Sequence, residues 1–438
     1  MASRRELDIV VIGASGYTGR LVAEYITQKL PTNTKWAIAG RSETKLKSLV
    51  ESLKQLNSNR TPPTVITTGK LATPELLPLA KRTRVLLNAV GPYHLYSTPI
   101  VEACAKSGTH YIDASGETPW IKSIITQFES AAKSSGALLI PAVGLESTPS
   151  DLIAFKATQL IRKVWDCGVM DMVGSIHELK TSGASGGTMA SGLNLFDAFS
   201  ASELRQVMSD PYCLSPSHLR PYTKETIYPR NPEPNTYSRT AFQKWTGAWS
   251  YPRLGALTTS ITARPNEAVV HRSAGLTPLF YGFNFSYEEY MAVSSPVVGM
   301  IIHFAIALLS LLLAFPPTRF IFKLLAPYKP GSGPKSEAGK SDVLELRGVA
   351  VAEQLAKVPR KALAVFRYEG GSMYDLTALL MVEAALVLLD PKQEGALKNR
   401  FSGGGFITPS CLGDDYCERI VDAGVRLDVK QIGDVGSK

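Results

Sequence analysis

Two hydrophobic periods take turns along the first third of the chain. Residues 7–12 form an apolar run broken only by Asp8, and Leu21, Val22, Tyr25 and Ile26 then recur at helical spacing. A strand that leads straight into a helix is predicted. An apolar run at 35–40, a helical stretch at 42–56, a short strand at 64–67 and a near-continuous apolar run at 84–90 follow. Such continuous runs are what strands covered on both faces show, and further strands are expected at 110–112 and 137–143. The alternation up to residue 150 predicts an α/β fold with a Rossmann-type doubly wound parallel sheet.

Past that point the pattern changes. A new helix is expected from Pro149, Ser150 and Asp151, with Thr148 or Ser150 as its cap. Residues 169–179, 258–270 and 343–366 show strand-like alternation between helices and loops. They predict a second, mixed α/β domain with a largely antiparallel sheet, of the kind that binds substrate or forms a homodimer. Residues 210–252 are rich in Pro, Tyr and Arg with weak periodicity, an irregular insertion expected to cover a site. Residues 373–389 are apolar almost all round, as a fully buried helix is. Gly403, Gly404, Gly405 and Pro409 then predict a tight turn that returns the C-terminal segment to the first domain.

Residues 297–315 are almost uninterrupted apolar sequence between Pro296 and the Pro316-Pro317 pair, close to the roughly 20 residues that cross a bilayer. The next stretch, 318–329, interleaves Arg319, Lys323 and Lys329 with apolar residues, as an interfacial anchor does. A complete crossing would put 344–438 on the far side of the membrane from the first domain. Insertion into one leaflet, as a monotopic segment or hairpin, is therefore expected, with an apolar substrate funnel or buried helix as the alternative. The resulting division is 1–150, a nucleotide-binding domain; 151–295, a second domain; 296–329, a membrane-associating segment; 330–341, a flexible linker; and 342–438, the rest of the second domain and the returning segment.

The chemistry concentrates in the first domain. Gly13, Gly16 and Gly19 lie between the first strand and its helix, where glycines let backbone approach a pyrophosphate and the helix N-terminus favours its charge. Cofactor contacts are expected from Gly13, Ser15, Gly16, Tyr17, Thr18 and Gly19. The second strand ends at Arg41 and Ser42, with no carboxylate before Glu43, which suits the 2′-phosphate of NADP over the free ribose of NAD. Ligands of such sheets lie beyond the carboxyl ends of the strands. That rule places Asn88, Val90, Gly91 and Pro92 beside the cofactor, with 113–117 and 144–147 along the same edge. Tyr93, His94, Ser115 and Thr188 are candidate proton or hydrogen-bond donors. The small residues of 181–195 fit either a second anion or carbonyl site or a structural turn.

Bulk properties narrow the class. A length of 438 residues favours two domains. The net charge of +9 is not gathered into a stripe, which argues against nucleic acid. Cys104, Cys167, Cys213, Cys411 and Cys417 are odd in number and scattered. They suit a reducing compartment and form no metal-binding spacing. No apolar stretch precedes Asp8, so no cleaved signal peptide is read. The protein is expected to face the cytosol, on endoplasmic reticulum or lipid-droplet membrane, or to be cytoplasmic.

Seven segments, read in order, carry a resemblance: GASGYTGR (13–20), AGRS (39–42), VGPYHLYSTPIVEAC (90–104), GTHYIDASGE (108–117), STPSDL (147–152), SGGT (185–188) and GGGFITP (403–409). The chain resembles the saccharopine dehydrogenase-like oxidoreductases, a group that includes trans-acting enoyl reductases and lipid-droplet-associated saccharopine dehydrogenase-like proteins. The resemblance implies an NADP-dependent oxidoreductase that reduces a carbon–carbon double bond in an apolar acyl or polyketide-type substrate. An imine or ketone reductase of saccharopine-reductase type is one alternative. A membrane or lipid-droplet protein whose nucleotide site serves structure or sensing is another.

Overall fold

A computed structural model describes residues 5–216, 239–325, 328–329, 331–334, 339–353 and 360–433. The central part of the expected insertion, 217–238, and linker residues 330 and 335–338 lie outside the described residues.

The first strands and helices alternate as β1 (Leu7–Ile12), α1 (Tyr17–Lys29), β2 (Trp36–Gly40), α2 (Glu43–Leu56), β3 (Thr64–Thr67) and α3 (Thr73–Arg82). They continue as β4 (Thr83–Asn88), α4 (Tyr93–Tyr96), α5 (Thr98–Ser107), β5 (His110–Asp113), α6 (Thr118–Ser135) and β6 (Leu138–Ile140). The six strands pair in parallel in the order β6-β5-β4-β1-β2-β3, a doubly wound sheet whose strand order reverses between β1 and β4. Ile9 to Ile12 are wholly buried, because helices cover both faces. The strand expected at 84–90 stops at Asn88, whose side chain turns inward to the loop that follows.

The second half contains α7 (Thr148–Trp165), β7 (Val169–Lys180), α8 (Gly186–Ala198), α9 (Ala201–Ser209), α10 (Ala241–Thr246), β8 (Trp249–Tyr251) and β9 (Gly255–Thr259). Next come α11 (Ala263–Leu276), α12 (Pro278–Tyr281), β10 (Ser286–Val293), α13 (Pro296–Ala314) and α14 (Pro316–Leu325). Last are β11 (Val343–Ala352), β12 (Lys361–Glu369), α15 (Met373–Leu389), α16 (Pro391–Arg400), β13 (Gly405–Phe406), α17 (Asp414–Asp422) and β14 (Arg426–Ile432). A second sheet runs β14-β12-β11-β7-β10-β9-β8. It is mixed, as expected: β7 and β10 are parallel and the other pairs antiparallel.

Two late elements join the first half. Helix α15 is buried almost all round, starts at a Ser372–Asp375 capping box, and packs along α1, where Tyr25 donates to Glu383 at 2.8 Å. Strand β13 adds to the free edge of β6 through Gly405 and Phe406, so the glycine turn does return to the first sheet. The Arg272 guanidinium, 3 % exposed, fixes that return by donating to the Phe406 carbonyl at 2.6 Å.

Three expectations need correction. The strand read at 258–270 ends at Thr259, and α11 takes the rest. This helix is covered on most sides between α7 and β10, so its apolar positions follow burial and not strand alternation. Helix α7 is preceded by Ser147 without a side-chain cap; Ser150 instead donates to the buried Glu289 and Thr148 to the Ala142 carbonyl. Finally, α13 is not a buried helix: only 6 % of its apolar window is covered. It is long and apolar enough to cross a membrane, but β7 and β10 before it and β11 after it share one sheet. A single crossing cannot be reconciled with that pairing. Helix α13 instead packs at its start on β9, where Gly299 lies against Thr258, and α14 packs on α13.

Candidate cofactor and active site

The turn after β1 is built by its glycines. Gly13 has φ +81°, and a Cβ there would meet the Ala89 carbonyl at 2.8 Å, so the β1 and β4 loops approach as backbone on backbone. A Cβ on Gly19 would lie 2.3 Å from the Gly13 carbonyl oxygen, which keeps α1 hard against the turn. Gly16 precedes α1 with no side-chain cap, and the first turn carries no acid. The amides of Tyr17 and Thr18 thus start a helix with no anion of its own, the arrangement that receives a phosphate. Arg41 is exposed just past β2, while the Ser42 hydroxyl accepts from the Lys45 amide as the α2 cap. Ser15 faces Gly40 across the same edge. These residues fit a dinucleotide with a 2′-phosphate.

Some expected contacts are engaged elsewhere. The Tyr17 ring stands edge-on to Tyr374 at 5.0 Å, and its hydroxyl donates to the Pro334 carbonyl at 2.8 Å. Only its backbone is left for the cofactor. Residues 331–334 of the linker are therefore packed against the cofactor turn and not free; the Ser332 carbonyl also accepts from the Gly186 amide at 2.9 Å. Thr188 sits at the start of α8, bonded to Ser185 and Tyr374. The chain itself satisfies this helix start, which favours the structural turn over an anion site. Asn88 is wholly buried: it donates to Ser97 and Tyr111 at 2.8 Å and accepts from Val90 at 3.0 Å. The Tyr111 hydroxyl donates to Asp113 at 2.6 Å, which also accepts from the Ser115 and Ala142 amides. This chain locks the ends of β4, β5 and β6 relative to one another.

On that frame the loops beyond three strands converge. Val90 packs against Gly13, and Gly91 faces the Ser191 hydroxyl and the Tyr93 ring, both 3.8 Å from where its Cβ would be. Pro92 leads into α4, where Tyr93 stacks on Trp120 at 5.7 Å. Burial, with Asp113 and Glu117 nearby, pushes the Tyr93 phenol up. The His94 side chain is buried, at 2 % exposure, and its Nδ1 lies 2.5 Å from Glu117. Glu117 also accepts from the Tyr93 and His94 amides at 3.0 and 2.7 Å. Burial works against the Glu117 charge, but the hydrogen bond and charge of His94 prevail and hold its carboxyl below the ordinary range. Glu146, in the loop after β6, lies against Gly116. Burial, and then the neighbouring Glu117, push its carboxyl up to about 7.

Of the four candidate donors, Tyr93, His94 and Ser115 come together here, and Thr188 lies one helical turn from Ser191. Glu117, Glu146 and Ser191 were not singled out in the sequence. The available signal was a carboxylate shortly past each of two consecutive strands, β5 and β6. Among the described residues no group of His, Cys, Asp or Glu could hold a metal ion, and none of the five cysteines forms a disulfide.

Comparison with known proteins places this architecture. Residues 9–140 match the saccharopine dehydrogenase NADP-binding domain. A Mycobacterium tuberculosis relative is 30% identical, over 98% of this chain and 99% of its own. The trans-acting enoyl reductase of Mycobacterium ulcerans is 30% identical over 97% of this chain and 98% of its own, and that of Mycobacterium leprae 28% identical over 96% and 97%. The apo structure of the L-Glu-forming saccharopine dehydrogenase of Saccharomyces cerevisiae superposes with a TM-score of 0.57 at 11% identity, covering 98% of this chain and all of the other, which shows a shared fold. The open α1 terminus, the exposed Arg41 and these full-length similarities make the chain an NADP-dependent oxidoreductase that belongs to the saccharopine dehydrogenase-like family.

Proposed function

We propose that the protein reduces a carbon–carbon double bond conjugated to a carbonyl, in an apolar acyl or polyketide-type substrate. The observation that carries this reading is the make-up of the cluster at the strand ends. Tyr93, His94, Ser115, Glu117, Glu146 and Ser191 gather there, and none of them is lysine or arginine. A dicarboxylic amino acid needs cationic partners, and the Glu117 carboxylate repels it, which sets imine reduction of the saccharopine type behind. The names of the full-length mycobacterial relatives support the same choice.

When bound, NADPH supplies the hydride. The chain's own residues do the rest. The α1 amides hold the pyrophosphate, Arg41 the 2′-phosphate, and the Asn88–Tyr111–Asp113 chain keeps the strand ends in register. The Ser115 hydroxyl, buried and without a partner, is free to donate to the substrate carbonyl as negative charge develops there. NADPH oxidation with a panel of enoyl thioesters, ketones and cyclic imines tests the reading. Turnover of enoyl thioesters alone is expected. Preference for an imine would overturn it, and NADPH binding without any turnover would assign the nucleotide site to structure or sensing.

The same reading includes a lipid surface. Val297, Ile301, Leu308, Leu311 and Phe315 on α13, with Phe320, Ile321, Leu324 and Leu325 on α14, are all more than half exposed. Trp245, 67 % exposed, stands edge-on to Phe304 at 5.7 Å and adds an aromatic rim. Such a patch far exceeds what monomeric soluble proteins leave uncovered, and a helical pair with flanking aromatics suits insertion into one leaflet of a cytosol-facing membrane or lipid droplet.

A further inference from the structure

Buried polar groups in folded proteins are almost always paired. At the carboxyl ends of β4 and β5, two are not. The His94 Nε2 atom and the Ser115 hydroxyl are buried without a partner. The Glu146 carboxyl makes no hydrogen bond or ion pair among the described residues, and Glu117 is the one charge that acts on it. The gap that admits this carboxyl is a glycine: a Cβ on Gly116 would lie 2.3 Å from Glu146 Oε2 and 2.8 Å from Oε1. The neighbouring Gly144 brings the β6 loop onto Ala114, where a Cβ would stand 3.0 Å from the Ala114 methyl. His94, Ser115 and Glu146 thus lie in or just before three segments that follow consecutive strands, at the sheet edge where ligands of such folds bind.

We propose that the Glu146 carboxylic acid is the proton donor of the reduction, delivering its proton to the substrate α-carbon while hydride adds at the β-carbon. This rests on the enoyl reading above. The balance is simple. The π bond breaks, one C–H bond forms with the hydride and one with the Glu146 proton, and the carboxylate left behind is reprotonated from solvent. One NADPH and one proton are consumed.

The surroundings divide the labour between two glutamates. Glu117 is held ionised by His94, by two backbone amides and by Ser191. Burial, and then that fixed charge, push the Glu146 carboxyl up to about 7, so that a share of it carries its proton near neutral pH. Other titratable groups of the packed loops are Tyr93, with its phenol pushed up, and Asp113, whose carboxyl is pushed up by burial and tied to Tyr111, Ser115 and Ala142. Two acids in one pocket with their proton affinities driven apart is how a single site keeps one donor and one anion. His94 and Glu117 are positioning residues in this scheme.

The test uses the full-length protein in detergent with an enoyl thioester in D₂O. Glu146→Gln is expected to lower single-turnover reduction about 100-fold or more, to leave NADPH affinity by fluorescence within about twofold, and to lose facial selectivity of deuterium at the α-carbon, since solvent then protonates either face. The wild-type rate should fall as pH rises through about 7, where the acid is lost. Glu117→Gln should shift that limb downward, because the carboxyl loses the neighbour that raises it. Gly116→Ala, which displaces the carboxyl without removing it, should mimic Glu146→Gln while still binding NADPH. Enoyl turnover by Glu146→Gln within about threefold of wild type, with stereospecific α-deuteration, overturns the assignment and leaves the enoyl reading standing. No enoyl turnover by the wild type overturns both.

Discussion

Arg41 and Gly19 illustrate how single residues set the cofactor. Arg41→Ala is expected to weaken NADPH about tenfold and to leave NADH unchanged, the size of one exposed charge-assisted contact to the 2′-phosphate. Fluorescence titration with both nucleotides checks this, and an equal loss for both would assign Arg41 to general electrostatics. Gly19→Ala drives a Cβ into the Gly13 carbonyl and should cost at least about tenfold in affinity for either nucleotide. Glu289 makes a stability prediction. Burial pushes its carboxyl up to about 7, despite hydrogen bonds from Ser150, Asn266 and Tyr287. The fold therefore holds this proton more tightly than the unfolded chain, with its ordinary value of 4.5. That contribution is full below pH 4.5 and is lost as pH rises through about 7. In Glu289→Gln the titration is gone, so its unfolding free energy should gain on wild type by on the order of 1–3 kcal/mol between acid and mildly alkaline pH. Urea denaturation at several pH values measures it; a difference constant with pH contradicts it. At this scale the sequence revealed the glycines and Arg41, because a strand–turn–helix needs them at fixed spacing. It did not reveal Glu146, whose role depends on Gly116 and Glu117 across a loop, thirty residues away in the chain. Nor did it reveal that Tyr17, Asn88 and Thr188 are held by Pro334, Tyr111 and Tyr374.

Elements were more legible than side chains. Strands β1, β2, β4, β5 and β6 and the buried α15 follow from apolar runs, since burial on both faces leaves little other residue choice, whereas β3 is a partly exposed edge strand. Leu380, wholly buried in α15, should cost about 2–5 kcal/mol as Leu380→Ala, read as a loss of thermal stability with NADPH affinity retained at low temperature. Helix α11 was misread because a helix enclosed by α7 and β10 shows no polar face to set its period. Helix α13 presents the opposite case, an apolar helix without a cover. The double substitution Ile301→Asp and Leu308→Asp, at residues 64 % and 56 % exposed, should move unfolding free energy by no more than about 0.5 kcal/mol while reducing liposome flotation at least about tenfold. A strongly destabilised variant that still floats would show that the helix serves the fold.

At the scale of the molecule, the two sheets hold each other through what lies between them. Helix α7 packs on β11 and β12, Asp151 on that helix accepts from Ser273 of α11 and from the Ser410 amide, and β13 closes the edge of the first sheet. The described linker residues run over Tyr17 on their way from the apolar helical pair to β11. The cofactor turn, the glutamates at the strand ends and the exposed apolar helices thus belong to one connected frame. The most direct measurement follows a deuteride. The full-length protein, NADPH deuterated at the transferring position and an α,β-unsaturated acyl thioester are combined, and the product is analysed by mass spectrometry and NMR. A saturated thioester carrying the label at its β-carbon is the expected result; label at the carbonyl carbon, or an unchanged thioester beside bound NADPH, would contradict it.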